Sequence, residues 1–288
     1  MSETAKLASK WERRWPAPAK LNLMLRITGR REDGYHLLQT VFHFVELCDW
    51  IVFTPRPDGE VRLKNTLPNV AEDDDLTVRA AKLLKNETGY AGGVTIDIEK
   101  NLPMGGGLGG GSSDAATTLI VLNHLWELGL SQERMMQMGL QLGADVPVFV
   151  FGKSAWAEGV GEVLSEITIP ESWFVIIKPD CHVNTREIFL SKDLTRDSKS
   201  INISDFLAGQ YNNDCLETVR RLYPSVGMSL QDLSRFSVGR LTGTGACVFA
   251  QFETKDKATD AYLALKDKWR VHLAKGLNSS PLYLSLYD

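Results

Sequence analysis

The alternation of apolar and polar positions predicts a regular order of strands and helices in the first half of the chain. Residues 94–99 alternate strictly between the two kinds of residue, which is typical of a half-buried strand. Residues 21–27 form a mostly apolar run that predicts a buried strand. Apolar residues recur at helical spacing in residues 75–85 and again in residues 115–128, where Gly129 ends the pattern.

Turn and capping residues complete this prediction. A Ser-Ser-Asp sequence at 112–114 and the serine at 131 are expected to cap two consecutive helices. Residues 50–54 and 61–64 flank a Pro-Asp-Gly turn and predict a hairpin, and residues 155–167 predict another. Because strands and helices mix without a strict β-α-β period, the pattern favours an α+β fold over a doubly wound sheet.

Length and composition are those of a globular protein with two domains. The chain has 288 residues, of which 43% are apolar and 24% charged. We place the boundary near residue 160, which gives an N-terminal domain at 1–160, beginning with a polar tail at 1–14, and a C-terminal domain at 161–288.

Charge and cysteine content restrict the class of protein. A net charge of −4 does not indicate a general nucleic-acid binder, and no apolar run approaches the roughly 18 residues of a membrane span. The N-terminus has no apolar region typical of a signal peptide, and four widely spaced cysteines predict buried thiols in a reducing cytosol. We therefore expect a cytoplasmic protein that binds neither nucleic acid nor membrane.

The most informative segment is PMGGGLGGGSSDAA at residues 103–116. Six glycines in seven positions are costly in conformational entropy, and a chain keeps them where the backbone needs positive φ or must approach something closely. Placed before a helix, such a segment directs several N–H groups and the positive end of the helix dipole at one point. This pattern predicts an anion site, most often for phosphate, with a flexible turn as the alternative.

Two other phosphate motifs fit less well. A Walker A loop is excluded because no Gly-Lys-Ser/Thr stands in the required frame. The glycines do satisfy G-x-G-x-x-G, but a dinucleotide fold needs a strand after the helix and an acidic residue about 20 positions on. A second helix follows here instead, so a Rossmann dehydrogenase is the weaker hypothesis.

The glycine segment resembles the central phosphate motif of the GHMP kinases. APAKLNL at residues 17–23 is similar to the N-terminal motif of that superfamily, and LTGTGAC at residues 241–247 is similar to its C-terminal glycine motif. The three stand in the expected order and span nearly the whole chain. DGYHxLQT at 33–40 and GADVPVF at 143–149 further resemble the 4-diphosphocytidyl-2-C-methyl-D-erythritol kinases within that superfamily.

This resemblance implies a two-domain GHMP kinase fold with the active site in the cleft between the domains. It implies transfer of the γ-phosphoryl group of ATP to the 2-hydroxyl of a cytidine diphosphate methylerythritol, in the methylerythritol phosphate route to isoprenoid precursors. The implied ATP-binding residues are Pro103, Met104, Gly105, Gly106, Gly107, Leu108, Gly109, Gly110, Gly111, Ser112 and Ser113.

The resemblance also assigns catalytic roles to Lys20 and Asp145. Asp145 would accept the proton of the reacting hydroxyl, and Lys20 would keep it ionised and offset charge on the phosphoryl group. The residues alone are compatible with this, because an acid beside the apolar run VPVFVF and a lysine in an apolar strand both need partners. A helix cap or structural ion pair for Asp145, and a solvent-facing lysine for Lys20, stay open.

The same resemblance implies the contacts with the substrate. Asn22 would hydrogen-bond the methylerythritol hydroxyls, Tyr35 would stack on the cytosine, and His36 would hydrogen-bond its edge. Phe189 would stack on the opposite face with help from Thr185, although an ordinary core phenylalanine is the alternative.

The metal ion, the adenine pocket and the oligomeric state are less well defined by the sequence. Mg²⁺ is expected as the ATP complex, with Ser113 as a candidate hydroxyl ligand. Asp75 stands near the position at which the family often has an asparagine before leucine, which puts any adenine contact from it in doubt. We expect a monomer or a weak homodimer.

Two alternative functions remain at this point. One is another GHMP kinase, such as a homoserine or mevalonate kinase, which the DGYH and GADVPVF segments argue against. The other is a non-catalytic nucleotide-binding protein on the same fold, which the presence of both Lys20 and Asp145 argues against.

Overall fold

The computed structural model describes residues 10–11, 13–32, 34–66 and 70–287. Most of the predicted polar tail, and Asp33 of the DGYH segment, lie outside these residues. The strands are β1 (Arg14–Arg30), β2 (His36–Arg56), β3 (Val61–Leu63), β4 (Gly93–Glu99), β5 (Ala155–Glu158), β6 (Val163–Glu166), β7 (Trp173–Lys178), β8 (Arg240–Leu241), β9 (Val248–Phe252) and β10 (Arg270–Leu277).

The helices are interspersed among these strands without strict alternation, which gives the mixed α and β architecture predicted from the sequence. They are α1 (Leu76–Thr88), α2 (Gly110–Leu125), α3 (Gln132–Leu142), α4 (Val146–Phe151), α5 (Thr185–Leu190), α6 (Ile203–Leu207), α7 (Leu216–Leu222), α8 (Pro224–Leu233), α9 (Lys255–Leu265) and α10 (Pro281–Tyr287), with a 3₁₀ turn at Glu72–Asp74. None of the described helices is long and apolar enough to cross a membrane.

The strands join in one sheet of order β3-β4-β2-β10-β7-β9-β8. β1 pairs antiparallel with β2 along most of its length, and the β5–β6 hairpin also attaches to β2. One core lies between β1, β2 and β4 and helices α1 to α4, and a second lies between β7, β9 and helices α7 to α9. The predicted domain boundary near residue 160 stays a prediction.

Two local predictions were wrong. β3 does not form a hairpin with β2, because β4 already pairs with the end of β2 and β3 lies beyond it, parallel to β4. The Ser-Ser-Asp sequence does not cap α2, because the helix begins at Gly110 and its N-cap is Gly109 with φ of 74°. Ser131 does cap α3, since its side chain accepts a hydrogen bond from the amide of Arg134.

Candidate active site

A glycine turn, which we define as residues 105–111, carries the chain from the end of β4 to α2. Three of its glycines, Gly105, Gly107 and Gly109, have φ values of 61°, 75° and 74°. Residues with a Cβ rarely adopt this left-handed conformation, so the backbone path itself requires glycine at these positions.

The carbonyls and the amides of the glycine turn differ in their hydrogen bonding. The carbonyl oxygen of Gly106 accepts from the amide of Cys247. The carbonyl oxygen of Gly107 accepts from the Thr242 hydroxyl and the Lys20 ammonium, and that of Leu108 accepts from the Lys20 amide. By contrast, the amides of residues 105–112 donate to no other group in the part of the chain that the structure describes. Eight consecutive N–H groups thus have no partner among the described residues, and a backbone amide that is buried without a partner is costly.

A second glycine turn, which we define as residues 242–247, presses against the first from the other side of the cleft. The amide of Cys247 donates to Gly106 at 3.0 Å, and the Thr242 hydroxyl donates to the Gly107 carbonyl at 3.1 Å. A Cβ added at Gly107 would lie 2.4 Å from the Thr242 carbonyl oxygen. Gly107 is therefore needed where the two turns pack, which is a different reason from the room for phosphate that the motif suggests.

Lys20 on β1 is buried at the meeting point of these turns. Its side chain is 3% exposed, and its ammonium lies 3.1 Å from the Asp145 carboxylate, 2.6 Å from Asn22 Oδ1 and 3.1 Å from the Gly107 carbonyl. A buried ammonium requires such partners. The alternative of a lysine reaching to solvent is therefore wrong.

Asp145 stands at the N-cap position of α4 but makes no capping hydrogen bond there. Its side chain is 38% exposed, and one oxygen contacts the Lys20 ammonium. The helix-cap alternative is therefore wrong as well. A carboxylate held by a buried lysine and open to the cleft is placed to accept a proton from a bound group.

Asn22 is fixed by polar contacts on three sides. Its Oδ1 accepts from Lys20, its Nδ2 donates to the Thr40 hydroxyl at 2.9 Å, and its backbone amide donates to the Thr242 hydroxyl at 3.0 Å. The β1 register places Lys20 and Asn22 two residues apart on one face of the strand. The structure therefore brings all three predicted polar residues of the reaction centre, Lys20, Asn22 and Asp145, together.

A cavity of about 440 Å³ lies on one side of the glycine turn, and we call it the glycine-turn cavity. All seven residues of the turn line it, together with Pro103, Met104, Ser112 and Asp145 among others. Its size falls within the range of small-molecule sites. The predicted ATP-binding residues thus surround one space, with a single exception.

That exception is Ser113. It is fully buried in the first turn of α2 and does not line the glycine-turn cavity, because the start of the helix at Gly110 rotates its hydroxyl away from the turn. Its hydroxyl has no hydrogen-bond partner among the described residues. The structure therefore does not support Ser113 as an ATP or metal ligand, whereas the neighbouring Ser112 does line the cavity.

Lys100 and Asp114 also line this cavity, and neither of them was assigned to the site from the sequence. Lys100 donates to Asp114 at 2.7 Å and to the buried Asp49, whose other oxygen accepts from the amides of Asn101 and Leu102. Burial raises the pKa of Asp114 to about 7, against the opposing charge of Lys100. This buried network fixes the start of the glycine segment to β2 and α2.

Asp75 lines the glycine-turn cavity too, but its carboxylate already caps α1. It accepts hydrogen bonds from the amide and the hydroxyl of Thr77, at 2.8 and 2.5 Å. The doubt about an adenine contact from this side chain therefore has a physical reason.

Two further cavities continue from the other side of Asp145. The central cavity, of about 590 Å³, is lined by Lys20, Asn22, Thr185 and the second glycine turn among others. The outer cavity, of about 680 Å³, is lined by Tyr35, His36, Phe189 and their neighbours. Thr185 hydrogen-bonds Thr244 at 2.9 Å, so it also links the start of α5 to the second glycine turn.

His36 and Phe189 form a stacked pair in the outer cavity. Their ring centroids are 4.9 Å apart and the planes differ by 27°. Phe189 therefore lines this cavity and also packs against the second core, so both roles that the sequence left open fit its position. Tyr35, 63% exposed, lines the same cavity.

Arg196 is a residue of this region that the sequence did not reveal. It donates from Nε to His36 Nε2 at 3.2 Å, and its other nitrogens donate to the carbonyls of Phe189, Ser191 and Leu194. Burial, then the charges of Arg196 and Arg30, lower the pKa of His36. Because Arg196 donates to it, Nε2 is the acceptor, and the neutral ring with this hydrogen bond carries its proton on Nδ1.

Comparison with known proteins places this arrangement in a family. The GHMP kinases N terminal domain matches residues 75–153, and the GHMP kinases C terminal domain matches residues 196–271. A solved 4-(cytidine 5'-diphospho)-2C-methyl-D-erythritol kinase is 30% identical with a TM-score of 0.81, covering 92% of this chain and 99% of that one. A mevalonate kinase, 16% identical with a TM-score of 0.70, shares the fold.

Curated relatives agree over nearly the full length. The 4-diphosphocytidyl-2-C-methyl-D-erythritol kinase of Methylococcus capsulatus is 57% identical over 276 residues, which is 96% of this chain and 95% of the relative. That of Nitrosococcus oceani is 55% identical over 268 residues, covering 93% and 96%. The chain therefore belongs to the 4-diphosphocytidyl-2-C-methyl-D-erythritol kinases of the GHMP kinase family.

Proposed function

We propose that the chain transfers the γ-phosphoryl group of ATP to the 2-hydroxyl of 4-diphosphocytidyl-2-C-methyl-D-erythritol, with Asp145 and Lys20 at the reacting atoms. The reaction is the one for which its relatives at 57% and 55% identity are named. The observation that carries the assignment to residues is the row of eight free amides at 105–112 beside the Lys20–Asp145 pair.

The phosphates of ATP lie against these amides in the glycine-turn cavity. Aligned N–H groups and the N-terminus of the 16-residue helix α2 supply fixed partial positive charge to them. Since these donors are already oriented by the hydrogen bonds of the turn's carbonyls, they need little rearrangement as charge develops on the transferred group.

Asp145 accepts the proton of the 2-hydroxyl as the hydroxyl oxygen attacks the γ-phosphorus, and the bond between the γ-phosphorus and the bridging oxygen breaks to release ADP. Asp145 borders both the glycine-turn cavity and the central cavity, so an acceptor in one can meet a phosphoryl group in the other. Lys20 pairs with this carboxylate and contributes positive charge to the transferring group. Asn22, anchored by Thr40 and Thr242, orients the methylerythritol hydroxyls.

Mg²⁺ enters with ATP as part of the substrate. No group of three or more His, Cys, Asp or Glu side chains suited to a metal ion occurs within the described ranges. An ion held largely by phosphate oxygens and water needs few protein ligands. The oxygen donors that border both cavities are Ser112 and Asp145, and these would complete its coordination.

The cytosine occupies the outer cavity. Tyr35 and Phe189 supply aromatic surface for stacking, which any base can use. Selection of cytosine falls to His36, whose Nδ1–H can donate to the unprotonated N3 of cytosine but not to the N3–H of uracil.

The expectation from the sequence, a monomer or a weak homodimer, is kept as a proposal. Light scattering across a concentration series tests this proposal. The four cysteines are free thiols, and a cytoplasmic location stays a prediction.

An ADP-release assay with three acceptors tests the proposed function. ADP release should require the cytidine diphosphate methylerythritol and should be near background with mevalonate or homoserine, the acceptors named for kinases that share only the fold. Faster turnover with either of those two acceptors would contradict the assignment.

A further inference from the structure

The three cavities form one continuous path through the cleft. Asp145 and Ser112 border both the glycine-turn cavity and the central cavity. The central and outer cavities also share lining residues, which are Leu38, Ala144, Val160, Arg186 and Phe189. A molecule that reaches from the outer cavity to Asp145 must therefore pass these five residues.

The proposed substrate must place a charged group in the passage lined by these five residues. Its cytosine lies in the outer cavity and its reacting hydroxyl lies beside Asp145 in the central cavity, as argued above. The group that links these two parts is a diphosphate, which carries two negative charges near neutral pH. The passage between the two cavities is where that charge must be placed, and charge placed there needs a cationic partner.

Among the five shared residues, Arg186 is the one with a polar or charged side chain. It lies in the first turn of α5, is exposed, and its guanidinium has no hydrogen bond or ion pair with any other described residue. An arginine fork matches the paired oxygens of phosphate, and an uncommitted one gives up no existing partner when it binds.

The other cations of this region are already engaged or lie elsewhere. Lys20 contacts Asp145, and the Arg196 guanidinium contacts His36 and three carbonyls. Arg30 donates to the carbonyl of Gly34 and, of the three cavities, lines only the outer one. His182 packs against Gly105 and, of the three cavities, lines only the central one.

From this placement we infer that Arg186 binds the diphosphate of the cytidine substrate. The inference rests on the proposed function, because it assumes that cytosine occupies the outer cavity. It adds a residue that fixes the distance between the base and the reacting hydroxyl, and so selects a nucleoside diphosphate ester over an unphosphorylated nucleoside.

Two inhibitors of the full-length enzyme test the diphosphate contact of Arg186 separately from the proposed cytosine site. Cytidine probes the outer cavity, and cytidine 5'-diphosphate probes the outer cavity together with the passage. Each is measured as a competitor of the cytidine substrate in the ADP-release assay, for wild type, Arg186→Gln, Arg186→Lys and Arg235→Gln. Arg235 is a matched control, since it is an exposed arginine that lines none of the three cavities.

Wild type should bind cytidine 5'-diphosphate more tightly than cytidine. Arg186→Gln should weaken the binding of cytidine 5'-diphosphate roughly tenfold and leave the affinity for cytidine the same. Arg186→Lys should restore part of the lost affinity, and Arg235→Gln should match wild type. Raising the salt concentration should weaken the diphosphate competitor more in wild type than in Arg186→Gln.

Two results would overturn the inference. An unchanged ratio of the two affinities in Arg186→Gln, whether both stay the same or both fall equally, would remove Arg186 from the diphosphate and leave the proposed function intact. Failure of cytidine to compete in wild type would refute the proposed cytosine site, and the inference with it.

Discussion

Replacing Asp145 by asparagine removes the proposed base with almost no change of shape. The cost in stability should be small, since the Asp145 side chain is 38% exposed and Lys20 keeps its contacts with Asn22 and the Gly107 carbonyl. A partly exposed ion pair contributes about 1 kcal/mol. A general base contributes 10²–10⁴-fold in rate, which is about 3–5 kcal/mol of the barrier. The kinetic effect should therefore greatly exceed the effect on folding.

The measurements are kcat and KM for both substrates by ADP release, and urea unfolding. We expect Asp145→Asn to lower kcat by about 10²–10⁴-fold, with KM for ATP changed little. Asp97→Asn is a matched control, because Asp97 is 33% exposed and pairs with Lys64 at 2.7 Å on β4, away from the cleft. If Asp145→Asn kept a turnover near that of the control, the base assignment would be refuted.

Three further predictions follow from packing and charge. Gly107→Ala should lower the free energy of unfolding by about 2–4 kcal/mol through positive φ and overpacking, whereas Gly111→Ala should leave stability equal or higher and raise KM for ATP. Arg196→Gln should raise the pKa of His36, so the acid limb of the pH profile of kcat/KM for the cytidine substrate should move to higher pH. Burial lowers the pKa of His43 from 6.5 to about 4, so folding stability should fall by up to about 3 kcal/mol between pH 6.5 and 4, and urea unfolding of His43→Gln should show less of that loss.

Most of the secondary structure was predictable because its signals are local. The alternation in β4, the helical spacing in α1 and the Ser131 cap each depend on residues within a few positions of one another. The pairing of β3 was not predictable in this way. It depends on which strand already occupies the edge of β2, and that strand comes some 30 residues later in the chain.

Only those site residues that lie in segments resembling the family motifs were predictable from the sequence. Asp145 and Lys20 lie 125 residues apart, and no periodicity connects them. Arg196 and Arg186 belong to segments without a distinctive motif, and what marks them is their position in the folded cleft. The placement of Ser113 was missed for another reason, since the start of α2 decides which serine faces the cavity, and element boundaries are the least certain part of a pattern.

The glycines of the turn meet two physical demands that the sequence alone does not separate. At Gly107 an added Cβ would strike the carbonyls of the second glycine turn, so this residue lets the two halves of the cleft close on each other. At Gly110 and Gly111 an added Cβ would make only ordinary contacts of 3.5 Å, although glycine in a helix costs about 1 kcal/mol relative to alanine. Packing does not explain why the chain bears that cost, whereas the proposed binding of phosphate by the free amides of this turn does. In that proposal, the same run of residues joins the two sides of the cleft with its carbonyls and binds the nucleotide with its amides.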